Sequence, residues 1–96
     1  MKLTDQAIKE QLAQLEGWSL EGKQIWKRFE CKNFLSAVEF VNRLAKEAED
    51  INHHPDILIS NWNRVTIHLT THSQGELTEI DFQLAKKIDK VFDTIT

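Results

Sequence analysis

The chain is short of the residues that build disulfide frameworks, linkers and membrane spans. Its one cysteine among 96 residues, Cys31, cannot close an internal disulfide, which suits a reducing compartment. The longest aliphatic run, residues 57–59, falls far below the roughly 20 apolar residues that cross a bilayer. The first twelve residues, MKLTDQAIKEQL, lack the apolar stretch of a signal peptide. Positive charge is not in excess: 12 Lys+Arg against 15 Asp+Glu leave a net charge of −3, and no basic run exceeds the pair Lys86 and Lys87. A phosphate backbone is therefore not an expected partner. Three glycines and one proline leave no linker, repeat or low-complexity stretch. These absences predict a soluble, cytoplasmic protein that binds neither nucleic acid nor membrane, with one domain over residues 1–96.

What is present suffices for a core: 41% hydrophobic residues, including 3 Trp and 5 Phe. A chain this short buries only about 60–65% of its unfolded surface and gains from oligomerising. Thr4 reads as an N-cap, with Leu3 and Ile8 as a hydrophobic staple. Ala7, Ile8, Leu12 and Leu15 form the apolar stripe of a first helix that Gly17 ends. Segments 18–20 and 25–31 flank Glu21-Gly22-Lys23-Gln24, a hairpin signal. Asn33 caps a second helix with a stripe of Phe34, Ala37, Val38, Val41, Leu44, Ala45 and Ala48. Residues 57–60 form a short strand, and 64–72 alternate strictly, Val65, Ile67 and Leu69 facing one way and Thr66, His68 and Thr70 the other. After the turn Ser73-Gln74-Gly75-Glu76, Thr78 caps a last helix with Ile80, Leu84, Ala85, Ile88, Val91, Phe92 and Ile95 inward. The order α-β-β-α-β-β-α predicts an α+β fold: a four-stranded antiparallel sheet with helices on one face. Phe40 and Phe82 fall off these stripes and are expected on a contact surface.

All four histidines fall between residues 53 and 72. His53 and His54 follow a helix end carrying Glu47, Glu49 and Asp50, acids that oppose the macrodipole there. His72 closes the long strand. Such element ends favour function, because the scaffold stays rigid while loops place groups. His68, mid-strand on the polar face, reads as an exposed residue. Asp81 projects between Ala85 and Ile88, where a carboxylate faces the core or a cleft floor, yet Thr78-Glu79-Ile80-Asp81 also resembles a capping box. Histidine, with an ordinary pKa of about 6.5, both gives and takes protons near neutrality. Histidines beside Glu49, Asp50 and Asp81 suit general acid–base work, which contributes roughly 10²–10⁴-fold. Cys31 lies far from them in sequence, and no G-x-S-x-G nucleophile is present. A metal site on His53, His54, His72 and Asp81 is not expected: adjacent side chains diverge, and the spacing matches no zinc motif.

These residues resemble the pterin-4a-carbinolamine dehydratase family. Its pattern is an acid, three spacers, His-His-Pro, five or six spacers, an aromatic residue, nine spacers, His, and an Asp eight or more positions on. Glu49, His53-His54-Pro55, Trp62, His72 and Asp81 meet it with spacings of three, six, nine and eight. Flanking stretches HHPDILIS, WNRVTIHLTTH and LTEIDFQLAKKID also look like family sequence. The resemblance runs from about Phe34 to the C-terminus. Trp62 stands where the family commonly has Tyr.

The resemblance implies a lyase that dehydrates 4a-hydroxytetrahydropterin to quinonoid dihydropterin, in the recycling of tetrahydrobiopterin used by aromatic amino acid hydroxylases, with neither metal nor cofactor. It implies catalytic roles for His53, His54 and His72, with His53 and His72 as the acid–base pair. Glu49, Trp62, Thr71 and Asp81 become substrate-binding candidates, Glu49 and Asp81 also setting histidine charge. It further implies a homo-oligomer, a dimer or tetramer. Two other readings stand beside it. One is a non-catalytic partner or dimerisation cofactor of the same fold. The other is a metal-dependent module using the same cluster.

Overall fold

A computed structural model describes residues 2–95. In order these form α1 (Asp5–Ala13), β1 (Ser19–Glu21), β2 (Gln24–Glu30), α2 (Phe34–Asp50), β3 (Asp56–Ser60), β4 (Arg64–Leu69) and α3 (Glu79–Ile95). The strands make one antiparallel sheet in the order β1-β2-β4-β3. Central strand β4 pairs Ile25 of β2 with Leu69 and Ile57 of β3 with Ile67. The predicted alternation is met over residues 64–69, where Val65, Ile67 and Leu69 are fully buried against the helices; β4 stops at Leu69, so Thr70 and His72, expected within the strand, follow it instead. Thr66 and His68 point to the other face, where His68 is half-buried under the stacked ring of Trp26.

Two of the three caps read from sequence are formed; at the third the Thr78 hydroxyl meets Thr71 instead of an N–H of its own helix. The Thr4 side chain accepts from the Ala7 N–H, and Asn33 accepts from the Ser36 N–H at 2.8 Å. Helix α1 stops sooner than expected. Gln14 caps it, and Leu15 packs on the core from the following turn, which reaches Gly17 at φ +85°. That turn is tied down by Lys27, whose Nζ donates to the Glu16 carbonyl and to Asp89 at 2.8 and 2.9 Å. Trp18 Nε1 donates to the same Asp89.

Phe40 and Phe82 are not contact surface: their exposures are 0% and 1%. Phe40 meets Phe29 and Phe92 at ring-centroid distances of 4.9 and 5.2 Å. On α2 the buried line is Ala37, Phe40, Leu44 and Ala48, while Phe34, placed in the stripe from sequence, is 52% exposed. Apolar residues cover more than half of this helix's circumference, so periodicity alone does not choose the inward centre. Packing against α3 and the sheet does, and it turns the helix so that Phe40 rather than Phe34, about 120° away, faces the core. On α3 the expected Leu84, Ala85 and Ile88 are buried, but the buried face also takes in Phe82 and leaves Ile80 39% exposed.

Candidate active site

The two adjacent histidines are set by the way α2 ends. Ile51 caps the helix, and Asn52 follows at φ +50°. The Asn52 N–H then donates to the Glu49 carbonyl, and the His53 N–H to that of Ala48, at 3.1 and 3.0 Å. This is a Schellman turn with asparagine in the left-handed position that glycine usually fills. It brings His53 back over the helix end. Pro55 then restricts His54 to extended backbone, and β3 begins one residue later.

His72 is set by a second tight structure. After β4 the Thr71 N–H donates to the Glu76 carbonyl, and the Thr71 carbonyl accepts from Gln74 and Gly75 at 3.0 and 2.9 Å. Gly75 takes φ +64° to close this loop, a conformation that a side chain resists. His72 stands exposed as its second residue. The N-terminal segment braces the exit, with the Leu3 N–H donating to the Leu77 carbonyl.

Between the two structures lies Asp81, fully buried at the start of α3. Its Oδ1 is 2.6 Å from His53 Nε2. Its Oδ2 accepts from the Thr71 hydroxyl and from the Thr78 N–H, both at 2.9 Å. The Thr78 and Thr71 hydroxyls are 2.7 Å apart. Both readings of Asp81 therefore hold at once: it makes the return bond of a capping box, and its other oxygen holds a histidine. Glu49 similarly meets His54 Nε2 at 2.8 Å, but in an exposed pair. Among the described residues no buried side-chain polar atom lacks a partner.

The sequence candidates thus separate into groups. His53, Asp81 and Thr71 are joined by hydrogen bonds, His72 adjoins Thr71, and the His54–Glu49 pair flanks His53. Trp62 is not with them. It sits in the β3–β4 turn at φ +57°, 57% exposed, at the far end of the five-residue strand β3. At about 3.3 Å per residue that is roughly 17 Å from the histidine end. Sequence reasoning missed the hydroxyl of Thr78 as part of this network, having read it only as a cap, and the left-handed Asn52. An Asn before the first histidine was the available signal for the latter. Among the described residues, no group of three or more His, Cys, Asp or Glu could hold a metal ion. A groove of about 410 Å³ between α2 and α3 is lined by Arg43, Lys46, Lys87 and Lys90 among others and contains none of the histidines.

The profile of the pterin 4 alpha carbinolamine dehydratase family matches residues 1–91. The chain belongs to this family. It is 47% identical to a protein of Sulfolobus acidocaldarius provisionally named pterin-4-alpha-carbinolamine dehydratase, over 95% of this chain and 99% of that one. A protein of a Picosynechococcus species with the same provisional name is 49% identical, over 94% and 97%. Among solved structures, a transcriptional coactivator/pterin dehydratase from Brucella melitensis superposes with a TM-score of 0.89 at 34% identity, covering 95% of this chain and 98% of that one. A pterin dehydratase-like RuBisCO assembly factor of the alpha-carboxysome shares the fold, with a TM-score of 0.68 at 24% identity over 80% and 90%. The carbinolamine dehydratase fold thus also occurs in a protein described by an assembly role.

Proposed function

We propose that this chain, as one domain, dehydrates a 4a-hydroxytetrahydropterin to the quinonoid dihydropterin by histidine acid–base catalysis, in the recycling of tetrahydropterin. The observation that carries the reading is the contact between His53 and a fully buried carboxylate, with His72 next to a residue of the same network. In the reaction a proton is given to the C4a hydroxyl, the C4a–O bond breaks, and water leaves. The N5 electron pair forms the C4a=N5 bond, and the N5 proton is taken up. One acid and one base on either side of a flat ring meet that balance, and His53 and His72 are the assigned pair. His54, steadied by Glu49, orients the ring. Asp81 and Thr71 serve from behind His53, since exposures of 0% and 8% leave little surface for a ligand.

We assign a homo-oligomer, supported by Phe34 and Leu35 standing 52% and 77% exposed on the first turn of α2 and by exposed Leu58 on edge strand β3. Trp62 joins the pterin site only across a boundary between copies, given its place at the opposite end of β3. Cytoplasmic placement rests on the unpaired Cys31. The same exposed apolar residues favour a second reading, a protein-binding role on this fold. The test is the dehydration rate of a 4a-hydroxytetrahydropterin with wild type and with His53→Ala and His72→Ala made singly. Loss of roughly 10²-fold or more in each folded variant supports the assignment. A folded wild type that does not exceed buffer transfers the fold's role to protein binding.

A further inference from the structure

We propose that Thr78 is a positioning residue for His53, acting through the hydroxyl of Thr71 and the carboxylate of Asp81. The direction of each bond follows from the proton count. A threonine hydroxyl has one proton to donate. Thr71 spends its proton on Asp81 Oδ2, so the 2.7 Å contact between the hydroxyls is Thr78 donating to Thr71. The Thr78 N–H fills the remaining position on Oδ2 at 2.9 Å. With Oδ2 taken by two donors, only Oδ1 is left for His53, and the 2.6 Å contact is completed by a proton on Nε2 of the ring. The imidazole is thereby held as the Nε2–H tautomer, which leaves Nδ1 to exchange protons with a ligand.

The helix start shows that Thr78 is diverted to this task. An N-cap threonine ordinarily turns its hydroxyl to an N–H of its own helix. Here the Asp81 N–H is bonded to the Thr78 backbone carbonyl at 3.1 Å, and the hydroxyl reaches across to the strand end instead. All three polar side chains are out of solvent, with exposures of 4% for Thr78, 8% for Thr71 and 0% for Asp81, so water cannot substitute for a missing donor without rearrangement. The chain also ties the His72 loop to His53, because Thr71 opens that loop.

The effect on rate rests on the dehydratase reading; the effect on the ring does not, and the experiment reads both. Ring nitrogen and proton spectra of His53 are recorded for wild type, Thr78→Val and Thr78→Ser. The expected result is a slowly exchanging Nε2–H signal in wild type and in Thr78→Ser, lost or averaged between tautomers in Thr78→Val. In the dehydration assay, kcat of Thr78→Val falls roughly tenfold with KM little changed, and serine restores it. A folded Thr78→Val with the wild-type ring signature overturns the proposal, because a hydroxyl that only packs would leave the tautomer alone. Should the valine variant fail to fold, wild type decides: the chain requires slowly exchanging hydroxyl protons on Thr71 and Thr78, and their fast exchange with solvent overturns it. A ring signal that moves in a protein without dehydratase activity rejects the catalytic reading and retains the positioning one.

Discussion

Asp81 is the residue that ties the start of α3 to His53 and to Thr71. Its carboxylate, itself without solvent exposure, satisfies a hydroxyl, a backbone N–H and an imidazole. Asp81→Asn keeps the shape but turns an amide donor toward at least one existing donor. The expected cost is about 2 kcal/mol in urea denaturation, together with a lower kcat; an unchanged midpoint would mean that the carboxylate's bonds carry no weight. Cys31 makes a contrasting case. It is 4% exposed, and burial pushes its thiol above the ordinary value near 9. The folded protein therefore disfavours the thiolate. Its contribution to stability is fully present below pH 9 and is lost as pH rises through the raised folded value. Alkylation of the native protein at pH 8 should be slow and should accelerate on unfolding. Rapid native alkylation would contradict the buried placement.

At the scale of elements, the ends of α2 and β4 and the start of α3 place the candidate groups, and they explain what the sequence disclosed. The caps at Thr4 and Asn33, the alternation of β4 and the strand–helix order follow from local rules and were legible. So were the histidines as a group and Asp81 as an anomaly on an apolar face. The inward faces of α2 and α3 were legible at their centres, where Ala37, Leu44, Ala48, Leu84, Ala85 and Ile88 are buried as expected, but not at their edges, since wide apolar faces leave rotation to tertiary packing; Phe40 and Phe82 were misplaced for that reason. Nor was the direction of the Thr78 hydroxyl, because a cap and a link to Thr71 use the same residue. The Schellman turn offers its own test. Asn52→Gly, suited to φ +50°, should leave stability within a few tenths of a kcal/mol or raise it, while Asn52→Val should cost about 1–2 kcal/mol and displace His53. Equal melting temperatures for the two variants would reject the strain argument.

In the whole molecule, three helices lie on one side of a sheet whose ends carry the candidate groups, and no helix among the described residues is long and apolar enough to cross a membrane. The histidine end and Trp62 occupy opposite ends of the β3–β4 hairpin, so one copy of the chain does not bring them together. Leu35→Glu places a charge on the most exposed large apolar residue of α2. Sedimentation should then show smaller particles than wild type with the fold retained; an unchanged particle size would remove this helix face from the interface. The central claim is tested most directly by the absorbance time course of 4a-hydroxytetrahydropterin dehydration with wild type and with the double variant His53→Ala/His72→Ala. Catalysis by the two histidines requires clear acceleration by wild type and the uncatalysed rate with a folded double variant. Equal acceleration by both proteins would contradict it.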